Sequence, residues 1–458
     1  MKIIIVGLGQ IGSLLAQRIP MENHDATVID ADKEKIEDIT NLYNVNGICG
    51  SGASREILLK AGAATADIII SVSSVDEVNL MSCMIAKDCG TRYAMAKIDQ
   101  PELSGDKDYL KNAFQIDSII NPKLETALEM HRQIFVPGEL KADAYFSDVA
   151  TIIRLRLTEK LVPARGLPMK EIKGVFGTDM LIATVTRGRK LYIPKGDFVL
   201  QADDVVGVIA ADTAIPQIAA RLGAAHKPVK RAMLVGGGTT AYYLGRKLLE
   251  DHKSVTILES DAKRCAELAE LLPEANVSCA NGIDTEILLE EGLEQMDSCI
   301  SMTGKDDTNM VISLFAWSMG VKSIITRINT TAYEKLLNKV NIDITILPAL
   351  ISANHVLGFI RNLAVHNEKG NDIQCLYQLA GGMAEATEFI AYDNCRKLGI
   401  AFRQPELQLK KDILIAMIIH EGQVIIPDGN SRIQQGDRVI VISKKGNGLN
   451  TLNDIFHG

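Results

Sequence analysis

Nearly the same words occur twice in this 458-residue chain, and at a fixed distance. Gly7-Leu8-Gly9-Gln10-Ile11-Gly12 follows the apolar run Ile3 to Val6, and Gly236-Gly237-Gly238-Thr239-Thr240-Ala241 follows Met233 to Val235, at an offset of 229. Val28-Ile29-Asp30 and Ile257-Leu258-Glu259 keep that offset. Glu56 to Gly62 (EILLKAG) and Glu286 to Gly292 (EILLEEG) stand 230 apart, as do Ser71 to Asn79 against Ser301 to Asn309, and Lys97-Ile98 against Arg327-Ile328. One inserted residue separates the two registers. Landmarks of different kinds held in one register identify a tandem duplication.

The stretches between them repeat too. Ile193-Pro194-Lys195-Gly196-Asp197 pairs with Ile426-Pro427-Asp428-Gly429-Asn430, and Gln201 to Val205 with Gln434 to Arg438, both at 233. The organisation is therefore A-B-A-B, with A units of about 130 residues and B units of about 90, ordinary domain sizes. In the first A unit the β-rich runs Ile3–Val6, Ala26–Asp30, Asp67–Val72 and Ala94–Lys97 alternate with helical patterns over Gln10–Arg18, Ser54–Ala61 and Asp76–Asp88. That alternation predicts a parallel, doubly wound α/β sheet. The B units read as small α+β domains. In the first, the runs Ile152–Leu157, Leu181–Thr186 and Val205–Ile209 are separated by turns such as Arg187-Gly188-Arg189. Ala225-His226-Lys227-Pro228 reads as the linker between halves, and Asn367 to Asp372 as the entry to the last B unit.

A G-x-G-x-x-G is weak evidence alone. Here it closes a strand, opens a helix and is followed by an acid, Asp30, at the end of the next strand, which is the dinucleotide-binding context. Gly7 allows the tight turn, Gly9 lets a pyrophosphate approach the backbone, and Gly12 lets helix and strand pack closely. The free N–H groups of the helix N-terminus then face phosphate. A carboxylate at Asp30 accepts from ribose hydroxyls and repels a 2′-phosphate, which favours NAD-type or adenine nucleotides over NADP. The second half keeps Gly236 and Gly238, has Ala241 at the last motif position, which the motif tolerates, and offers Glu259 as the acid. It reads either as a second nucleotide site or as a fold-keeping duplicate without a ligand. Gly50-Ser51-Gly52 forms a short turn that can touch adenine or serve as a plain polar loop. Ser73-Ser74 lies past a strand's C-terminal end, where open α/β sheets bind ligands. Lys97 and Arg327 close later strands, either to meet phosphates or as solvated charges.

Composition narrows the class. Hydrophobic residues at 47% and charged residues at 23% suit a globular protein. The net charge of −8, with no Lys/Arg run, argues against nucleic acid as a partner. The start, MKIIIVGLGQIG, has an apolar run too short and too glycine-rich for a signal peptide. No apolar stretch approaches the ~20 residues of a membrane helix. The eight cysteines form no C-x-x-C pair and read as reduced core thiols of a cytoplasmic protein. None of the eight histidines has a metal-ligand spacing, and no nucleophile motif or P-loop lysine occurs.

The motifs GLGQIG, VID at 28–30, the turn and helix GSGASREILLKAGA, and SVSSVDEVN resemble those of the RCK (regulator of potassium conductance) family. The tandem form at this length is similar to the TrkA branch of that family, and the resemblance spans the whole chain. It implies Rossmann-like N-type domains at 1–135 and 229–365, each followed by a small α+β C-type domain, at 136–228 and 366–458. It further implies binding of NAD/NADH and of ATP or ADP, and a homo-oligomeric ring, a tetramer. The implied partner is a membrane-embedded potassium-translocating subunit of Trk type, with the chain peripheral to the inner face of the cell membrane. Carried over by residue, the first site uses Gly7 to Gly12, Asp30, Ser51, Ser73, Ser74 and Lys97. The second uses Gly236, Gly237, Gly238, Thr239, Thr240, Glu259, Thr303, Gly304 and Arg327. Lys97 stands where Arg is common in the family, and the two differ in hydrogen-bonding geometry. The implied role is regulation by binding, with no catalysis. A nicotinamide-dependent oxidoreductase and a free-standing nucleotide sensor share the Rossmann signal and remain the alternatives.

Overall fold

The computed structural model describes residues 1–101, 107–135, 141–146, 150–157, 166–171, 180–211, 214–215, 218, 229–330, 333, 344–366, 373–380, 383–445, 447, 449 and 451–457. The expected linkers at 225–228 and 367–372 lie outside them. The chain forms two compact units, one of residues 1–132 with 229–357 and one of residues 133–228 with 358–458.

The first unit holds two six-stranded parallel sheets. Strands β1 (Lys2–Val6), β2 (Asp25–Asp30), β3 (Asn46–Cys49), β4 (Ile68–Ser71), β5 (Tyr93–Lys97) and β6 (Ser118–Ile120) are ordered β3-β2-β1-β4-β5-β6. The second unit's strands come next in the chain, β7 (Lys141–Phe146), β8 (Ala150–Arg156), β9 (Met180–Arg187), β10 (Lys190–Tyr192) and β11 (Val205–Ala211). The duplicate sheet of the first unit, β12 (Arg231–Val235), β13 (Ser254–Glu259), β14 (Asn276–Cys279), β15 (Ser298–Ser301), β16 (Ser323–Arg327) and β17 (Ile344–Ile346), repeats the order as β14-β13-β12-β15-β16-β17. Helices cover both faces of such sheets, so the central strands are apolar on both sides. Ile3, Ile4, Ile5 and Val6 are accordingly all buried, as are Ala232 to Val235. The strand order reverses between β1 and β4, and between β12 and β15. That places a ligand crevice outside the carboxyl ends of those strands.

Local signals fix the helix ends. Asp32 caps the helix Lys33–Leu42 by accepting from the N–H groups of Glu34 and Lys35, and Asp261 and Asp284 cap their helices in the duplicate. Ser54 caps Arg55–Lys60. Gly90, at φ +118°, stops Asp76–Cys89. Sequence patterning missed β6 and the helices Lys33–Leu42, Lys107–Phe114 and Pro122–Phe135, whose apolar stripes are short and interrupted by charge.

Within the first unit the two α/β domains meet through helices. Asn121 donates to the Tyr243 hydroxyl (3.2 Å), His131 pairs with Asp251 (2.5 Å), Glu125 holds Ser352 and His355, and Arg18 donates to Asn354.

The second unit holds two antiparallel five-stranded sheets, β10-β9-β11-β8-β7 and, with β18 (Ile373–Leu379), β19 (Ala384–Ile390), β20 (Ile413–His420), β21 (Gln423–Ile425) and β22 (Arg438–Lys444), the order β18-β19-β22-β20-β21. Read from opposite edges the two are the same topology. One apolar cluster joins them, with Ile152, Ala183 and Ile209 packed alongside Ala386, Met417 and Ile440. The duplication also keeps a buried acid on the turn before each last strand. Asp204 accepts from Gln201 N–H and pairs with Arg187, and Asp437 accepts from Gln434 N–H and pairs with His420.

Candidate functional site

The first glycine loop is bound to the acid that follows it. Gly7 sits at φ +95° and donates to Ile29 O (2.8 Å), and a Cβ there would come within 2.7 Å of the Ser73 backbone. The loop thus touches the segment after β4. Leu8 turns its side chain into the core, and its N–H donates to Asp30 Oδ2 at 2.6 Å. Asp30 Oδ1 accepts from Asp32 N–H (2.9 Å). Each oxygen keeps one further lone pair for a ribose hydroxyl. Gly12 packs against the loop so closely that a Cβ would stand 1.9 Å from Gly7 O. At Gly9 a Cβ would meet nothing within 4 Å, so the surface beside it is open. Gly9 is also the N-cap of Gln10–Met21, and no side chain caps that end. Gln10 is exposed and Ile11 half-buried beside it.

The far side of the crevice is held by a residue that motif reading used as a landmark but gave no role. Asn79 is fully buried, and its Oδ1 accepts from Ser73 N–H (2.8 Å) and Ser71 Oγ (3.0 Å). Its Nδ2 donates to Ser73 O (3.2 Å) and Lys97 O (2.9 Å). One amide therefore ties the ends of β4 and β5 together. Ser74 and Ser51 lie exposed on their loops. Lys97 is not a solvated charge. It is buried and its Nζ pairs with Asp99 at 2.9 Å. Two cysteines expected in the core are also placed otherwise, since Cys49 and Cys279 end β3 and β14 and are exposed there.

The second site repeats the design with altered parts. Gly236, at φ +108°, donates to Leu258 O (2.8 Å). Gly237 N–H donates to Glu259 Oε2 (2.7 Å), the counterpart of Leu8 to Asp30. Glu259 Oε1 accepts from Ser260 and Asp261 N–H. Burial opposes its ionisation, but the Asp261, Gly237 and Ser260 N–H groups outweigh burial and hold the carboxyl below its usual range. Gly238, the uncapped N-cap of Thr239–Glu250, faces open space as Gly9 does. Ala241, at the place of Gly12, is fully buried, and Thr240 is buried beside it. Asn309 repeats Asn79, bonding Thr303 N–H and Oγ1 (2.7 Å each) and Arg327 O (2.9 Å). Gly304 is exposed next to Thr303. Burial lowers the pKa of Arg327, partly offset by Asp306, and its buried Nε has no partner among the described residues. A buried guanidinium N–H without an acceptor fits an anionic ligand group.

No helix among the described residues is long and apolar enough to cross a membrane, and no group of three metal-ligating side chains occurs among them.

The TrkA-N domain family matches residues 3–122 and again 232–348, and the TrkA-C domain family matches 390–457. The Trk system potassium uptake protein TrkA of Haemophilus influenzae is 30% identical over 458 residues, covering 98% of this chain and 97% of that protein. The Trk system potassium uptake protein TrkA homolog of Archaeoglobus fulgidus is 28% identical, with 97% of each covered. Among solved structures, the GsuK channel bound to NAD shares the fold at a TM-score of 0.61 and 15% identity, over 97% of this chain and 77% of that one. Two TrkA-N regions in register, a TrkA-C region and a relative aligned along nearly its whole length place the chain in the TrkA family.

Proposed function

We propose that the chain is a regulatory subunit of a potassium uptake system and binds NAD(H) and adenine nucleotides at both glycine loops. The observation that carries this is the repeated pair of an open, uncapped helix start at Gly9 and Gly238 with an acid bonded to the same loop. Four other helices of these domains are capped by an Asp or Ser side chain, while Asp76–Cys89 and Asp306–Ser318 are not. The two glycine-loop helices combine an uncapped start with an acid on the same loop, and so leave their first N–H groups to a ligand. In the first site, Gly7 to Gly12 hold pyrophosphate, Asp30 the ribose, and Ser51, Ser73, Ser74 and Lys97 line the remaining crevice. In the second, Gly236 to Thr240 through their backbone, Glu259, Thr303, Gly304 and Arg327 do the same. The domains run 1–135, 136–228, 229–365 and 366–458. The relatives' name, potassium uptake protein, and the NAD carried by a channel of this fold support the reading.

On this reading nothing is chemically transformed. A nucleotide shifts a conformational equilibrium only by binding one state better than the other. Chains assembled as a tetrameric ring on the cytoplasmic face of a membrane-embedded Trk-type subunit convert that difference into gating, with about 1–3 kcal/mol of coupling. The test is rubidium flux into liposomes carrying the translocating subunit, with and without this chain, across NADH, NAD, ADP and ATP. Nucleotide-dependent flux is expected. Flux indifferent to the chain, with nucleotide bound, refutes gating, and oxidation of NADH by the chain refutes the non-catalytic reading.

A further inference from the structure

The two halves differ beside the ribose acid. In the parallel register Cys279 lies directly across from Glu259, as Cys49 lies across from Asp30. In the second half the helix Ala262–Leu271 adds another thiol. Cys265 is buried and donates to Glu259 O (3.3 Å), and that same oxygen accepts from the N–H of Ala280 (2.8 Å), the residue after Cys279. The residue of the first half that corresponds to Cys265, at the offset of 229, is Ile36. Cys49 therefore has an exposed thiol and no second cysteine at that place, and its own Sγ donates to Ala31 O.

We propose that Cys279 and Cys265 form a redox-modifiable dithiol whose substrates are low-molecular-weight disulfides. Cys279, the exposed member, loses its proton and attacks one sulfur of the small disulfide, making a mixed disulfide and releasing one small thiolate. Cys265 then gives up its proton and attacks the Cys279 sulfur of that mixed disulfide, and the second small thiolate leaves. The two protons protonate the two departing thiolates. Two protein thiols and one small disulfide become one protein disulfide and two small thiols. Burial, and then the neighbouring Cys279, push the Cys265 thiol up to about 11, which suits it to act second, against a disulfide already held beside it. Because both cysteines adjoin Glu259, closing the bond alters the acid's setting and weakens nucleotide binding at that site. This last consequence rests on the reading under Proposed function.

The test treats the full chain with oxidised glutathione, cleaves it after glutamate under non-reducing conditions and identifies the peptides by mass. Cleavage places Cys265 in residues 260–267 and Cys279 in residues 275–286. These two peptides are expected joined to each other, while the Cys49 peptide carries glutathione. In Cys265→Ser the Cys279 peptide is expected to carry glutathione instead. Glutathione retained on Cys279 in the unaltered chain, or both thiols unmodified while Cys49 reacts, overturns the dithiol. NADH titration of the oxidised and reduced forms reads the consequence separately. Equal affinity removes the coupling, and binding by neither form removes the nucleotide reading of that site while the peptide masses still decide the dithiol.

Discussion

Gly9 and Gly12 are three residues apart in one motif, yet the structure separates their roles into binding and stability. Consider Ala at each. At Gly12 the new Cβ would stand 1.9 Å from Gly7 O and 3.0 Å from Gly7 C, both backbone atoms with nowhere to rotate. The loop must move, at a cost of about 1–3 kcal/mol for overpacking. At Gly9 the backbone is already extended (φ −75°, ψ −168°) and nothing lies within 4 Å of the added methyl. Ala loses roughly 0.5–1 kcal/mol as an N-cap relative to glycine. It regains about 0.4–1 kcal/mol through a less flexible unfolded chain. Gly9→Ala should therefore leave stability within about 0.5 kcal/mol of the parent, the usual range for a benign surface change. A pyrophosphate seated against Gly9 changes the outcome for binding, because the methyl occupies its place. A loss of tenfold or more in NADH affinity, or at least about 1.4 kcal/mol, is expected. Urea unfolding and isothermal titration with NADH read the two quantities on the same samples, with Gly238→Ala as the parallel in the second loop. Unchanged affinity in a fully folded Gly9→Ala protein would refute the placement of phosphate at this loop.

Arg327→Met should leave unfolding by urea unchanged or raise its midpoint, since a half-buried charge with an unpartnered Nε is replaced by an apolar chain. The same change should lower nucleotide affinity at the second site at least tenfold, read by titration on a Gly9→Ala background. Asn79→Ala strips partners from Ser73 N–H and O and from Lys97 O at once and should cost about 3 kcal/mol in urea unfolding. Asp437 raises His420 above its ordinary value of 6.5, so the pair's contribution is full below pH 6.5 and lost as pH rises through the folded value. A melting-temperature profile from pH 6 upward should flatten in His420→Arg, which copies Arg187 of the first half.

The fold was legible because its signals are local and repeated. Glycine loops, apolar strand runs and acids at strand ends each depend on a few neighbouring residues, and the 229, 230 and 233 offsets put both copies in register. The parallel-sheet architecture followed from that alternation, and the two sheets have it. What escaped reading is what three-dimensional contact decides. Helix Pro122–Phe135 is partly charged along its length, and the neighbouring domain helps to hold it, through His131 on Asp251 and Glu125 on His355. Lys97 read either as a phosphate contact or as a solvated charge, and the second is set aside because Asp99 folds back to pair with it in a buried place, which nothing in the sequence says. Asn79 was visible as a matched letter, but an amide bonding two strand ends is a tertiary fact. A signal was nevertheless there. An Asn kept at one offset in both copies, followed each time by an apolar residue (Leu80, Met310), marks a backbone clamp.

The second site looked degraded in sequence because its changes were read one at a time. Gly237 replaces Leu8 and Glu259 replaces Asp30, two changes that meet at one hydrogen bond. A Cβ at Gly237 would fall 2.8 Å from Glu259 Cβ and 2.6 Å from Leu268 Cδ1, so the second loop as it stands has no room for a side chain there. In the first loop Leu8 keeps its side chain, and it is buried. Both solutions reach the same bond, a loop N–H on a carboxylate oxygen at 2.6 Å in one copy and 2.7 Å in the other. Ala241, at the place of Gly12, is fully buried. Both copies keep an acid held to a glycine loop at an uncapped helix N-terminus, and this shared arrangement, with a different residue pair in each copy, is what the proposed nucleotide sites rest on.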